Sequence, residues 1–183
     1  MFFHFDFTAS EADFLAFSYF NAFDSVHGKR RIRKNRLSFM AVIAALIVLV
    51  FLVEGWTVFS LVYAALAGLY AVIYMLLYKK IIKRKIRKNM NRLKQIGKLP
   101  FDPVSTMEFY EDKMVEIGAS THLEQGYDIL ERICVVGDRY IYLYSNSMSA
   151  HVLLIPQVRE QSNLEEFIHF ISQKCNTIEY YEL

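Results

Sequence analysis

The sequence predicts an α+β membrane protein, in which a two-helix transmembrane hairpin is joined to a cytoplasmic antiparallel β domain closed by a C-terminal helix. Three observations lead to this fold class. Two long apolar runs fill the middle of the chain, clusters of lysine and arginine lie directly outside them, and the sequence after Pro100 alternates strand patterns with turn residues. A chain of 183 residues is long enough for a small domain besides the hairpin.

The apolar middle of the chain predicts two spanning helices. Between Leu37 and Tyr78 the only acidic or basic residue is Glu54. Because a spanning helix needs about 20 apolar residues, and about 17 at the least, we expect spans at 37–54 and 57–78. Two alternatives remain open, a buried hairpin inside a soluble protein and a hairpin that enters the membrane without crossing it.

The residues between the two runs predict a turn at the far membrane surface. Glu54 and Gly55 are hydrated there, and the indole of Trp56 favours the headgroup level. An acidic residue within a hairpin can also mark an ion path. That alternative makes the protein a small transporter or channel subunit, or an accessory to one, acting as an oligomer.

Positive charge predicts the orientation of the hairpin. Residues 29–36 contain six basic residues and residues 79–98 contain ten, out of 21 in the chain. By the positive-inside rule both termini are cytoplasmic. Basic runs also occur in nucleic-acid-binding proteins. Because these runs adjoin apolar segments, we expect anionic lipid headgroups as their partner and no nucleic acid.

Charge divides the chain into three parts. Residues 1–28 carry −4, residues 29–98 carry +15 and residues 99–183 carry −9. We expect these parts to be a cytoplasmic N-terminal strand and helix, a hairpin with basic flanks and a stalk, and a cytoplasmic domain. The acidic domain repels anionic lipid headgroups, so a basic protein surface is its natural complement.

The N-terminal part predicts a strand followed by an aromatic helix. Phenylalanines at positions 3, 5 and 7 alternate with polar residues, which is the period of a half-buried strand. Ser10 and Asp13 suit the start of a helix that continues to about Asp24. This helix either packs on the cytoplasmic domain or lies along the membrane, and its lack of Lys and Arg favours packing.

The second spanning helix is expected to continue beyond the membrane as a basic stalk. Apolar residues recur there at steps of three and four, the spacing of one helix face: Ile82, Ile86, Met90, Leu93 and Ile96. A helix from Val58 to Ile96 would be about 58 Å long. Its apolar edge needs a partner, either the acidic domain or a second copy of the chain.

The sequence after Pro100 predicts strands and one helix. "VSTMEFYED" and "KMVEIGAS" form a hairpin that turns at 111–113, and "YDILERICVVGD" and "RYIYLYSNS" form another that turns at Gly137 and Asp138. "SAHVLLIP" is a further strand, followed by a loop to Ser162. "SNLEEFIHFISQKC" is an amphipathic helix. The pattern indicates a small β-barrel or sandwich plugged by that helix.

Four features covering nearly the whole chain match a known family. They are the opening "FDFTASEADFLAF", the hairpin with basic flanks, "MEFYEDKMVEI" and "YLYSNSMSAHVLLIP". On these the chain resembles the YcxB-like family of bacterial membrane proteins. The resemblance implies an inner-membrane two-span anchor, a C-terminal domain similar to the pleckstrin-homology (PH) barrel, and a family without an established activity. Residues 99–183 are few for such a barrel, so we expect the strand at 2–7 to complete it.

The sequence offers no pattern of catalytic or metal-binding residues. Five histidines are scattered singly, and there is no H-E-x-x-H, C-x-x-C or glycine-rich phosphate loop. Glu166 and His169 form a pair on one helix face, which predicts a solvated surface, and the serines near His151 predict a turn. We therefore expect no enzyme, no cofactor, no metal and no catalytic or cofactor-binding residue.

Small residues line the second span at helical spacing: Ala64, Gly68 and Ala71, with Ala41 and Ala45 on the first span. Such residues allow close contact between helices. Contact within the hairpin and formation of a homo-oligomer are the two explanations. The predicted function is a non-enzymatic, membrane-anchored interaction module with a regulatory or scaffold role, which binds an unidentified protein or its own copies.

Overall fold

The structure is a computed structural model that describes residues 1–97, 101–119, 122–147 and 149–182. The chain divides into two compact units. We call Met1–Phe17 with Leu99–Leu183 the β unit, and Ser18–Lys98 the hairpin unit. By sequence the β unit carries a net charge of −12 and the hairpin unit carries +14.

Helices and strands follow one another along the chain with short connections. The helices are α1 (Glu11–Tyr19), α2 (Val26–Glu54), α3 (Val58–Gln95), α4 (Ile155–Gln161) and α5 (Leu164–Ser172), with a π-helical segment at Phe20–Asp24 and a 3-10 turn at Tyr127–Ile129. The strands are β1 (Phe3–Thr8), β2 (Val104–Phe109), β3 (Lys113–Gly118), β4 (His122–Gly126), β5 (Arg132–Val136), β6 (Tyr140–Tyr144), β7 (Ala150–Leu154) and β8 (Ile178–Tyr181).

The described strands of the β unit form two four-stranded sheets. The first has the order β1-β2-β3-β4 and is antiparallel throughout. The second has the order β7-β6-β5-β8, and β8 runs parallel to β5. The α+β class is confirmed, since the chain contains two long apolar helices as well as the two sheets. The expected closed barrel is wrong, because in the described part of the chain no strand of one sheet pairs with a strand of the other.

Helix α4 explains why the sheets do not close. It follows β7 without a loop and packs against β1, the edge strand of the first sheet. Pro156 lies in its first turn, where the missing N–H and the fixed φ of proline suit a helix start. A strand could not continue through this residue as part of a ladder. The loop expected between Pro156 and Ser162 is therefore wrong, since the segment is helical.

Strand β1 completes the first sheet, as the sequence predicts. Phe3 lies opposite Phe109 of β2 and the antiparallel register continues to Thr8. The ring of Phe167 in α5 packs edge-on against Phe5 and Phe109, with centroids 4.9 Å apart in both pairs. The prediction of a C-terminal amphipathic helix that fills the interior is confirmed. Strand β8, which follows this helix, is an element that the sequence patterns did not predict.

The two central strands of the second sheet are buried on both faces. Every residue of β5 and β6 is buried. The outer face of β6 carries Tyr140 and Tyr142, and α1 covers it. Phe17 packs on Tyr142 with centroids 5.1 Å apart, and the hydroxyl of Tyr140 donates to Asp13 at 2.9 Å. The first part of α1 therefore packs on the strands of the β unit, which is the alternative that the sequence favoured.

The hairpin unit contains two helices that are long and apolar enough to cross a membrane. Helix α2 begins at Val26, well before the expected start of its span, because Ser25 caps it by accepting the Gly28 N–H at 3.0 Å. Helix α3 runs from Val58 to Gln95 without a break. The second apolar run and the basic residues after it thus lie on one continuous helix as far as Gln95, as the sequence predicts.

The π-helical segment forms a tight junction with the start of α2. Ser25 is buried, and its hydroxyl donates to the carbonyl of Asn21 at 2.9 Å. A Cβ on Gly28 would lie 2.8 Å from the backbone carbonyl carbon of Ala22. Because real Cβ atoms do not approach backbone so closely, only glycine fits at this position.

Candidate functional site

The hairpin unit has a cluster of aromatic and polar residues at each end of its apolar part. At the end next to the basic residues, the guanidinium carbon of Arg36 lies 5.4 Å from the ring centroid of Tyr78. Arg36 is the last basic residue before the apolar run of α2, and Tyr78 is the last residue before the basic run of α3. The contact therefore brings the ends of both apolar runs to one level.

Three further residues complete this boundary cluster, which consists of Asn35, Arg36, Phe39, Tyr74 and Tyr78. The side-chain amide of Asn35 donates to the Tyr78 hydroxyl at 3.3 Å. Phe39 stacks on Tyr74 with ring centroids 4.0 Å apart. Tyr78 is buried between the two helices. This cluster was not predicted from the sequence, where Arg36 counted only as a positive charge. An aromatic residue close to the basic run of each helix was the feature from which it could have been predicted.

Glu54, Gly55 and Trp56 lie at the connection between the two long helices. Glu54 is the last residue of α2, and Gly55 has φ 66° and donates its N–H to the carbonyl of Phe51 at 3.0 Å. Trp56 is 85% exposed, and its ring lies 4.7 Å from that of Phe51. Glu54 is exposed as well. The turn is thus a short, polar and solvent-accessible connection flanked by aromatic rings.

A capping box that the sequence analysis missed fixes the start of α3. The hydroxyl of Thr57 accepts the Ser60 N–H at 3.2 Å, and the hydroxyl of Ser60 accepts the Thr57 N–H at 3.0 Å. Ser60 is buried and also donates to the carbonyl of Gly55 at 2.8 Å. The sequence feature that indicates this capping box is the spacing T-x-x-S, in which serine takes the place usually occupied by glutamate or glutamine.

The small residues predicted to pack helices differ in their surroundings. Ala71 is buried, while Ala64 and Gly68 are half-buried. A Cβ added to Gly68 would meet nothing within 4 Å. Ala41 and Ala45 on α2 are exposed, so they do not lie between the two helices of the hairpin.

In the β unit, a polar cluster joins the two sheets. The Nδ1 atom of His151 on β7 lies 2.6 Å from Oε2 of Glu116 on β3. The Nε2 atom of His151 lies 3.0 Å from Oε1 of Gln125 on β4. The His151 side chain is 10% exposed. We call these three residues the inter-sheet cluster. Both ring nitrogens thus lie within hydrogen-bond distance of a side-chain oxygen of the first sheet.

The sequence analysis missed Glu116 and Gln125. Glu116 stands two residues after Met114, a buried residue, so the alternation of β3 turns both side chains to the same face. The alternation along β3 is the sequence feature from which the position of Glu116 could have been predicted. The serines near His151 belong to the turn between β6 and β7, where the Ser145 N–H donates to the carbonyl of Ser149 at 3.2 Å.

A second polar cluster lies on the outer face of the second sheet. Arg132 is buried, and its guanidinium carbon lies 4.0 Å from the ring centroid of Tyr144. The thiol of Cys134 donates to Glu179 at 3.5 Å. Burial, followed by the negative charge of Glu179, raises the pKa of Cys134 to about 12. Because the thiolate is the nucleophilic form, this cysteine is unreactive at neutral pH.

No metal site is present in the described ranges, where no group of three or more His, Cys, Asp or Glu side chains is arranged to hold an ion. Glu166 and His169 are both exposed on α5. Glu166 accepts from the side-chain amide of Asn163 at 3.2 Å, and Nε2 of His169 lies 3.0 Å from the side-chain nitrogen of Gln173. These contacts are those of a helix start and of a solvated helix face.

Comparisons with protein-family models, with curated proteins and with solved structures gave no match for this chain. The basis for a functional assignment is therefore the geometry of the two units. The strongest feature of the hairpin unit is the boundary cluster, and that of the β unit is the inter-sheet cluster.

Proposed function

We propose that the protein is a non-enzymatic integral protein of the inner membrane, with both termini in the cytoplasm. The hairpin unit anchors the chain, and the β unit is an interaction module with a regulatory or scaffold role. The observation that carries this proposal is the agreement between the hairpin and the thickness of a bilayer. From Arg36 to Glu54 the α2 axis rises about 27 Å, and from Val58 to Tyr78 the α3 axis rises about 30 Å. A hydrocarbon core is about 30 Å thick.

The exposed surface of the hairpin supports the same proposal. Leu52 is 79% exposed and Leu76 is 77% exposed, in helices that are apolar on all sides over this length. Water would make such a surface costly, at about 25 cal/mol for each Å² of apolar area. Lipid tails are the solvent that fits it.

The basic residues supply the orientation in this proposal. Lys79 and Lys80 follow Tyr78 directly, and the basic run before Leu37 lies beside them across the boundary cluster. By the positive-inside rule this end of the hairpin is cytoplasmic, and the turn with Trp56 faces the other side. Anionic lipid headgroups are the partner of the basic residues nearest the hydrocarbon core.

The fold of the β unit supports a PH-like module of the YcxB-like kind. Strands β1 to β4 form one meander and β5 to β7 form a second, and α5 fills the space between them. With its net charge of −12, the β unit repels anionic lipids and favours a basic surface on a protein partner or on another copy of the chain.

Substitution of exposed leucines tests the membrane proposal. Leu66 in α3 and Val104 in β2 are 61% and 62% exposed. In water, Leu66→Asp would be nearly neutral, as surface substitutions usually are. In a bilayer an aspartate at mid-helix costs about 2.5–3.5 kcal/mol, so we expect Leu66→Asp to abolish retention of the full chain by alkaline carbonate-washed membranes. Val104→Asp is the matched control and should leave retention unchanged. Equal behaviour of the two variants would contradict the proposal.

A further inference from the structure

We propose that Arg36 in the boundary cluster binds the phosphate group of a phospholipid in the cytoplasmic leaflet. This inference rests on the proposed membrane function and adds a defined ligand site to it. The carrying observation is the state of the Arg36 guanidinium. Its Nε atom is buried and has no hydrogen-bond partner in the part of the chain that the structure describes.

The guanidinium group is held in place without being neutralised. Its carbon lies 5.4 Å above the ring centroid of Tyr78, within the range of a cation–π contact. The hydroxyl of Tyr78 in turn accepts from Asn35, which fixes the ring that supports the guanidinium. No ion pair between Arg36 and a carboxylate occurs among the described residues. A fixed cation with no counter-ion among the described residues calls for an anion from outside.

The sequence around Arg36 contains no carboxylate that could serve in its place. Between Lys29 and Lys98 the only acidic residue is Glu54, at the opposite end of the hairpin. The axial rise from Arg36 to Glu54 is about 27 Å, so the two charges lie on opposite sides of a hydrocarbon core. Lys79 and Lys80 add positive charge immediately after Tyr78.

A phosphate oxyanion is the ligand that this arrangement fits. The planar guanidinium offers parallel N–H groups that match two phosphate oxygens, which a lysine ammonium cannot reproduce. Arg36 as a whole is only half-buried, and because its Nε is buried, the two Nη groups are the ones that a phosphate would contact. Arg36 adjoins the start of the apolar run, so in the proposed membrane arrangement the phosphate of a phospholipid is the oxyanion at its depth.

The test measures phospholipid retained by the detergent-purified full chain, using native mass spectrometry. The probes are phosphatidylglycerol, phosphatidylcholine, diacylglycerol without a phosphate, and inorganic phosphate. We expect both phospholipids to bind and diacylglycerol to be lost. We expect Arg36→Gln to weaken phospholipid retention about tenfold, as the loss of hydrogen bonds to a charged group does. Arg36→Lys keeps the charge and should still weaken phospholipid retention, because lysine lacks the pair of parallel N–H groups.

Arg33→Gln is the matched control, since Arg33 is an exposed arginine one turn away in the same basic run. It should retain phospholipid like the unchanged chain. Equal losses in Arg33→Gln and Arg36→Gln would overturn the site in favour of a general charge effect. Equal, Arg36-dependent binding of inorganic phosphate would overturn the lipid as its source. Release of the unchanged chain by carbonate would instead refute the membrane function, whereas membrane retention with unaltered lipid binding in Arg36→Gln would refute only this site.

Discussion

Gln161 binds the backbone of Asp6 at both of its polar groups. Its Oε1 accepts the Asp6 N–H at 2.7 Å, and its Nε2 donates to the Asp6 carbonyl at 2.8 Å. One turn earlier on α4, Gln157 binds Thr8 in the same way, at 3.0 and 3.1 Å. The two amides occupy the outer edge of β1 as a neighbouring strand would. They therefore protect an edge that could otherwise pair with another chain.

Removal of one of these amides should loosen the β unit. Gln161→Ala leaves two backbone groups of Asp6 to water, and a partly exposed hydrogen bond contributes about 0.5–1.5 kcal/mol. We expect the free energy of unfolding to fall by roughly 1–2 kcal/mol for the two bonds. The protease resistance of the β unit in the detergent-solubilised full chain measures this loss of stability. Gln173→Ala is the control, because Gln173 is exposed and its side chain contacts the exposed His169. A loss as large in the control would contradict the role of Gln161.

The inter-sheet cluster should show energetic coupling between the sheets. His151→Ala removes the partner of Glu116 from a largely buried position, so we expect a loss of about 1–3 kcal/mol in the free energy of unfolding. Glu116→Gln should cost less in the His151→Ala background than alone. The coupling energy from the double-mutant cycle should lie at about 0.5–3 kcal/mol, and additive losses would show that the two side chains do not act together.

The two half-buried or buried helical glycines of the hairpin unit, Gly28 and Gly68, should respond in opposite ways to alanine. At Gly28 the added methyl meets the backbone of Asn21 and Ala22, and overpacking of this kind costs about 1–3 kcal/mol. At Gly68 the methyl meets nothing within 4 Å, so Gly68→Ala should be neutral or stabilising. Thermal unfolding of the detergent-solubilised protein measures both variants. Tolerance of Gly28→Ala would contradict the tight junction with the π-helical segment.

Alkaline pH should destabilise the β unit through Cys134. Burial and then Glu179 raise the pKa of its thiol from 9.0 to about 12 in the folded chain. The folded state holds this proton more strongly than the unfolded chain does. The resulting stabilisation is therefore complete below pH 9.0 and is lost as the pH rises to about 12. Burial raises the pKa of Tyr144 to about 12 as well, with the same sign.

The unfolding midpoint measured against pH tests this prediction. Cys134→Ala should reduce the slope of the midpoint between pH 9.0 and about 12, because one of the titrating groups is gone. A slope unchanged by the substitution would show that the thiol does not contribute.

The sequence predicted those elements whose signals are local and repeated. The two apolar runs, and the apolar residues that recur every three or four positions after Tyr78, predicted α2 and α3. The alternating phenylalanines near the N-terminus predicted β1. That the N-terminal strand would complete the C-terminal domain was expected from the small size of residues 99–183, whereas its pairing with β2 was not predicted. The boundary cluster was not predicted, because the Arg36–Tyr78 contact depends on the register of two helices that a single sequence does not give.

The elements that the sequence did not predict, or predicted wrongly, can be traced to particular residues. Strand β4 contains the polar residues His122, Glu124 and Gln125, so it lacks the apolar alternation of a strand. Pro156 was interpreted as a strand end followed by a loop, although proline also begins helices. The closed barrel was expected because the sequence shows strands but does not show that the side chains of α4 would cover the β1 edge.

Accessibility of single cysteines in intact cells tests the membrane topology most directly. Native Cys134 and Cys175 are buried, so a membrane-impermeant maleimide should report on introduced cysteines alone. We place them at Trp56 in the turn and at Lys88 on the stalk, both exposed positions. We expect Trp56→Cys to be labelled in intact cells from which any outer envelope has been removed, and Lys88→Cys to be labelled only after lysis. Labelling of both residues, or of neither, before lysis would contradict it.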